Sequence, residues 1–232
     1  MREALILIAL LITWLAVAAV LMTGCPAHAE QAEPYWTTEE IADAVGTLAP
    51  WAHQSRRERW ARRIMTANAR FDFGDSMLLV AMIRKESSFW ESIWNGEKRG
   101  ERGEIGALQI HRTSGWQRVR EPECVHASYF LGADEVDVAY RRFRGARKDT
   151  ATLRTRYREL SARCSFWSGV RLLKHTKEMC GGSYARIVAS YGRGKCVSEQ
   201  AARYYKSARN ARRYYCAALG DSEQCDARWP ND

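Results

Sequence analysis

The sequence contains no C-x-x-C pair, no internal repeat and no alternating apolar-polar run longer than a few positions. The missing C-x-x-C argues against a structural zinc site or thioredoxin-like chemistry. The histidines His53, His111, His126 and His175 show no ligand spacing, so no metal is expected. No basic block interleaved with aromatics is present either, which argues against nucleic acid as the partner. Without repeats or strand patterning, one mainly α-helical domain is the expected fold. What is present fits that reading. Hydrophobic residues make up 46% of the 232 positions, enough for one well-cored domain plus an appendage, and 27% charged residues is ordinary for a folded chain. The net charge of +9 is spread along the length rather than packed into a tail. Such a balance suits an acidic polymer or an anionic surface, such as membrane headgroups or cell-wall glycan with its peptide carboxylates.

The first residues point to a compartment. Arg2 precedes residues 4–23, a run with no charged side chain that is rich in Leu, Ile, Ala and Val. About twenty apolar residues suffice to span a bilayer as a helix, and a basic start followed by an apolar middle is also the pattern of a secretory signal. Ala27-His28-Ala29 resembles an A-x-A cleavage site. Leu21-Met22-Thr23-Gly24-Cys25 resembles a lipoprotein signal in which Cys25 becomes the lipidated first residue, with Met22 where Leu is usual. A cleaved signal, a lipid anchor and a retained membrane anchor all remain open. Each puts the rest of the chain outside the cytoplasm of a bacterium, in the periplasm or held at the membrane. The expected organisation is therefore a signal or anchor over residues 1–29, a linker over 30–36 and a globular domain over 37–232 with an insert at about 112–164.

Setting Cys25 aside leaves Cys124, Cys164, Cys180, Cys196, Cys216 and Cys225, an even set in a compartment where disulfides persist. Proximity pairs Cys180 with Cys196, Cys216 with Cys225 and Cys124 with Cys164, one of many connectivities that six cysteines allow. The alternative is six buried free thiols.

Helical spacing and capping residues divide the domain. Thr38 is expected to cap a helix that ends before Pro50, and a strongly basic helix follows from about 51 to 69 with Trp60, Ile64 and Met65 on its apolar positions. Asp75 should cap a third helix over about 76–90. Residues 95–106 read as a charged loop, and residues 114–163 as irregular with helical patterning near 150–160. A helix over about 165–177 carries Trp167, Val170, Leu172 and Leu173. Gly181-Gly182 break the chain, Ser183 caps a short helix to Tyr191, and Ser198 caps a last helix that ends near Gly220.

The third helix is the informative one. Residues 77–83 are almost wholly apolar, yet the helix runs into Arg84-Lys85-Glu86-Ser87-Ser88-Phe89-Trp90. Three and four residues back from Glu86 lie Ile83 and Met82, and three forward lies Phe89, so the carboxyl shares its face with apolar neighbours. Desolvation and the negative end of the helix dipole both favour keeping its proton, the tuning a general acid needs. An ordinary surface ion pair with a nearby Arg is the competing reading. Next, Gly103-Glu104-Ile105-Gly106-Ala107-Leu108-Gln109-Ile110 sets one amide in a glycine-punctuated apolar turn, well suited to a sugar hydroxyl or N-acetyl group. Finally, Ala189-Ser190-Tyr191-Gly192-Arg193-Gly194 puts an aromatic beside a flexible loop.

In this order, these motifs resemble the soluble lytic transglycosylase family, relatives of goose-type lysozyme. Glu86-Ser87-Ser88-Phe89 is similar to the family's E-S-x-F after a hydrophobic run, led in by residues 64–80 with Phe71 and Asp75. Residues 106–110 are similar to its G-L-M-Q-I, with Ala107 in place of Leu, and residues 190–194 to its A-Y-N-x-G, with Gly192 in place of Asn. The likeness covers about residues 60–215, and extra residues after Trp90 and between His111 and Ser165 depart from the family spacing.

The resemblance implies a lysozyme-like fold acting on peptidoglycan without metal or organic cofactor. Glu86 would be the single catalytic carboxylic acid, Gln109 would line the sugar cleft, Tyr191 would face Glu86 or the substrate, and Ser87 would support the site. Two-carboxylate glycosidases need a second acid, and Glu91, Glu97, Glu101 and Glu104 are expected to be solvated surface instead. In the implied scheme Glu86 protonates the oxygen between N-acetylmuramic acid and N-acetylglucosamine, then accepts the C6 hydroxyl proton as a 1,6-anhydro end forms. The alternatives are a hydrolytic muramidase, in which one of those acids positions a water, and a non-catalytic wall-binding module.

Overall fold

The computed structural model describes residues 36–95, 98, 100–101, 103–110 and 150–229, with backbone alone at 150–161 and 228. The chain divides into Met1–Pro34 and Tyr35–Asp232, and everything below concerns the second unit. The apolar run at 4–23, Cys25 and Cys124 lie outside the described residues, as does most of the insert. Among the described residues no helix is long and apolar enough to cross a membrane.

The described part is mainly helical. Its elements are α1 (Thr38–Leu48), α2 (Gln54–Phe71), α3 (Ser76–Ser87), the short α4 (Glu91–Trp94), α5 (Thr150–Cys180), α6 (Tyr184–Arg193), the short α7 (Glu199–Ala202), α8 (Lys206–Leu219) and α9 (Ser222–Arg228). Among the described residues there is no strand, only an isolated antiparallel bridge between Ile105 and Ile110.

Local chemistry sets the helix ends. α1 is capped by Thr37 rather than Thr38: Thr37 Oγ1 accepts from Glu40 N–H at 3.2 Å, and Thr37 N–H donates to the Glu40 carboxylate at 2.7 Å. That reciprocal box needs an acid three residues on, which Thr37 has in Glu40. α2 buries Trp60, Ala61, Ile64 and Ala67 along one stripe and turns its arginines outward. α3 has no outward stripe over Met77–Ile83, where every residue is buried, so it is the axis of the core. α1, α2 and α8 pack directly on it.

Asp75 closes the N-terminus of α3 and is fully buried. One carboxylate oxygen accepts from Met77 and Leu78 N–H at 2.8 and 3.1 Å. The other accepts from the hydroxyls of Tyr184, the first residue of α6, at 2.5 Å and of Tyr215 on α8 at 3.0 Å. One side chain thus joins three helices.

The C-terminal end of α3 falls three residues short of the expected end near Trp90. Ser88 and Phe89 both take left-handed backbone, with φ of 52° and 58°. The reversal turns Phe89 into the core, 5.1 Å ring to ring from Trp60, and Trp60 and Phe166 both lie against Trp94. Two successive non-glycine residues in that region cost of order 1 kcal/mol each, a strain held by the buried ring three residues beyond Glu86.

The expected helix over 165–177 is the C-terminal half of α5, which begins at Thr150. Gly181 and Gly182 stop it in left-handed conformation, and Ser183 caps α6. The last helix expected after Ser198 is three: Ser198 caps only the four-residue α7, Tyr205 begins α8, and Asp221 caps α9 beyond Gly220. Cys180 pairs with Cys196 and Cys216 with Cys225, as proximity suggested. Cys164 is buried and disulfide-bonded.

Candidate active-site cleft

A cleft of about 860 Å³ opens where the end of α3, the 100–110 segment, the C-terminal half of α5 and the end of α6 meet. Glu86, Gln109 and Tyr191 all line it. They stand on three different elements, and the sequence separates the first from the last by more than a hundred positions.

Glu86 sits in the last turn of α3 with 18% of its side chain exposed. Its carboxylate is paired with the ammonium of Lys85, itself only 12% exposed and also in the cleft. Helical spacing surrounds Glu86 with apolar neighbours and offers an Arg as the competing partner. Lys85 was missed because adjacent helix residues do not share a face, and only a long flexible stem lets its ammonium swing round.

Gln109 stands at the corner of a four-residue turn. Ile105 and Ile110 exchange backbone hydrogen bonds at 3.0 Å, and Gln109 N–H donates to Gly106 C=O at 3.0 Å. Gln109 is left-handed, φ 48°, and its side-chain amide donates to Gly106 C=O at 2.9 Å. The turn is docked on α5 by two close approaches. Gly106, at φ 73°, leaves a Cβ position only 2.3 Å from Ser165 Oγ, and at Gly169 that position lies 2.6 Å from Leu108 Cβ.

Gly169 therefore reverses an ordinary rule. Replacing a mid-helix glycine by alanine normally stabilises by about 1 kcal/mol, yet here the added methyl drives into Leu108. Gly169→Ala should destabilise by about 1–3 kcal/mol, measured by urea unfolding. A stabilised Gly169→Ala protein would disprove this account of the turn.

Tyr191, half-buried near the end of α6, donates its hydroxyl to Leu108 C=O at 2.9 Å. It does not donate to Glu86, one of the two positions anticipated for it. It ties the Gln109 turn to α6. Burial pushes the Tyr191 phenol well above its ordinary range, and the nearby charge of Glu86 adds to that. The native state then keeps a proton that the unfolded chain releases near pH 10. Stability from this source is present below about pH 10 and lost as pH rises beyond it. Tyr191→Phe removes the term, so the stability gap between wild type and variant should narrow between about pH 9 and pH 11. A constant gap in unfolding free energy over that interval would contradict the assignment.

Ser87 does not line the cleft. It is buried and donates its hydroxyl to Ile83 C=O at 3.1 Å, so it belongs to the helix that carries Glu86 and not to a sugar subsite. The acids expected to be solvated surface divide. Glu91 is paired with Arg56 at 2.9 Å and Arg59 at 3.1 Å, away from the cleft. Glu101 and Glu104 line the cleft, and the carboxylate of Glu104 and the amide oxygen of Gln109 reach over the same glycine, Gly100. Glu97 lies outside the described residues.

α5 contributes cleft residues that the sequence reading missed. Leu172, His175, Thr176 and Met179 line it, and their three-and-four spacing was a readable signal. His175 is thus a cleft residue rather than a remote one. Among the described residues no group of three His, Cys, Asp or Glu side chains is placed to hold a metal ion. A scan against protein-family models, a search of curated proteins and a search of solved structures each found no match.

Proposed function

We propose that this chain is an exported enzyme that cleaves peptidoglycan glycan strands by lytic transglycosylation, on a lysozyme-like fold, with Glu86 as acid and then base. The observation that carries the reading is the convergence of Glu86, Gln109 and Tyr191 on one cleft, since three separate motif resemblances give no reason for convergence unless they serve one site. The disulfides of a small helical domain, two of them with both partners among the described residues, support export to an oxidising compartment, as does the signal-like apolar segment.

In this reading a strand enters with the glycosidic oxygen at Glu86. The carboxyl gives its proton to that oxygen as the C1–O bond breaks, and the substrate's own acetamido group stabilises the cationic carbon. The C6 hydroxyl then gives its proton to the carboxylate and its oxygen to C1, which closes the anhydro ring and restores the acid. The ammonium of Lys85 occupies the Glu86 carboxylate, so the acid step needs the ammonium displaced and one proton taken up by Glu86 from solvent, which the C6 hydroxyl proton restores at the end of each cycle. Gln109, held in a left-handed turn, presents its remaining amide capacity to sugar hydroxyl or acetamide groups.

A second reading has its own observation. Glu101 and Glu104 share the cleft, so a carboxylate able to position a water for hydrolysis is present. Mass spectrometry of digested sacculi separates the two. Products ending in 1,6-anhydro-muramic acid support the transglycosylase; reducing ends alone would replace it with the muramidase.

A further inference from the structure

Beyond the paired Lys85 and Glu86 of α3, the cleft's carboxylates and its Arg and Lys side chains come from different segments. Glu101 and Glu104 enter it from the 100–110 segment, whereas Arg193 and Lys195 enter it from the end of α6 and the residues just after. The basic pair stands on fixed backbone. Gly194 ends α6 in left-handed conformation, Cys196 is tied to Cys180 of α5, and Val197 N–H donates to Ser190 Oγ at 3.1 Å. The Arg193 guanidinium lies 4.6 Å from the centre of the Tyr205 ring, and Tyr205 also lines the cleft. Both cations are exposed to solvent. Held in this way, they meet an anionic group with little further ordering.

A glycan backbone whose sugars carry only hydroxyl and acetamide groups gives these cations nothing to pair with. The carboxylates of a peptidoglycan strand belong to the peptide stems on its muramic acid residues. We infer that Arg193 and Lys195 form a carboxylate subsite for the peptide stem, a reading that rests on the cleft being a glycan site as proposed above. Glu101 and Glu104 repel the same stem, so the strand is oriented as well as held. The substrate class becomes the strand whose peptide carboxylates are free, with a strand whose carboxylates are masked disfavoured.

The test uses full-length protein and soluble peptide-bearing strands whose free amines have been acetylated. Half of the material is then amidated at its carboxylates. Wild type should bind and cleave the carboxylate form about 3- to 10-fold better than the amidated form, as expected for two exposed charge pairs. That ratio should shrink with added salt. Arg193→Gln with Lys195→Gln should bring the ratio towards one, and Arg193→Glu with Lys195→Glu should invert it. A wild-type ratio of one, or a ratio untouched by either double variant, overturns the subsite. If the binding ratio behaves as expected but neither strand is cleaved, the proposed reaction fails and the subsite stands.

Discussion

Glu86→Gln is expected to lower the rate of strand cleavage by about 10³-fold or more, with the melting temperature changed by only a few degrees. Proton transfer by one positioned group contributes roughly 10²–10⁴, and the proposed scheme asks one group for two successive transfers. The amide has nearly the shape of the carboxyl and can still accept from Lys85, so the fold loses one charge-assisted contact of about 1 kcal/mol at most. The measurement is the release of soluble muropeptides from sacculi, with the variant's unfolding curve recorded beside it. Cleavage within tenfold of wild type would end the assignment of Glu86, whatever the products. If the variant is inactive and wild type releases reducing ends, Glu86 stands and Glu101 or Glu104 becomes the candidate water-positioning base.

How much of this was legible in the sequence depends on the range of the interaction. Local signals read well. The apolar run of α3 with Asp75 before it, the Gly181-Gly182 break and the Ser183 cap each lie within a few residues of what they determine. Where two local signals compete, the reading slips by one step, as between Thr37 and Thr38. The end of α3 was misread because Ser88 and Phe89 adopt left-handed backbone with no glycine to announce it, drawn there by burial of the Phe89 ring against Trp60. The N-terminal part of α5 is Arg-rich, and its helical patterning near 150–160 was read apart from the 165–177 helix, so their continuity was missed.

The candidate site shows the same division. Glu86, Gln109 and Tyr191 stand in recognisable motifs, whereas the contacts that hold them are long-range. The docking of Leu108 on Gly169 and the hydrogen bond from Tyr191 to Leu108 join distant segments, and nothing in their local sequence marks them. Charge ran the other way: the Glu-rich loop looked like solvated surface, and its folding against the end of α3 turned Glu101 and Glu104 into cleft residues.

The largest loss of stability should come from a residue outside the cleft. Asp75→Ala is expected to destabilise the protein by about 4 kcal/mol. The helix cap alone is worth about 1 kcal/mol. The rest comes from the hydroxyls of Tyr184 and Tyr215, whose bonds to a charged acceptor inside the core are each worth about 1.5–3 kcal/mol. The carboxylate that accepts all four hydrogen bonds is fully buried, so water cannot replace it without opening the junction of α3, α6 and α8. For a domain of this size such a loss lowers the melting temperature by about 10 °C. Tyr184→Phe and Tyr215→Phe each remove one donor and leave the acid with three, so each should cost about 1.5–3 kcal/mol, the range for a bond to a charged group. Because both hydroxyls use the same oxygen, their effects should be non-additive in a double-mutant cycle. Urea unfolding of the four proteins provides the numbers. If Asp75→Ala lies within 1 kcal/mol of wild type, the junction is not what holds α3 in place, and the orientation of Glu86 would have to depend on the Phe89–Trp60 contact at its other end instead.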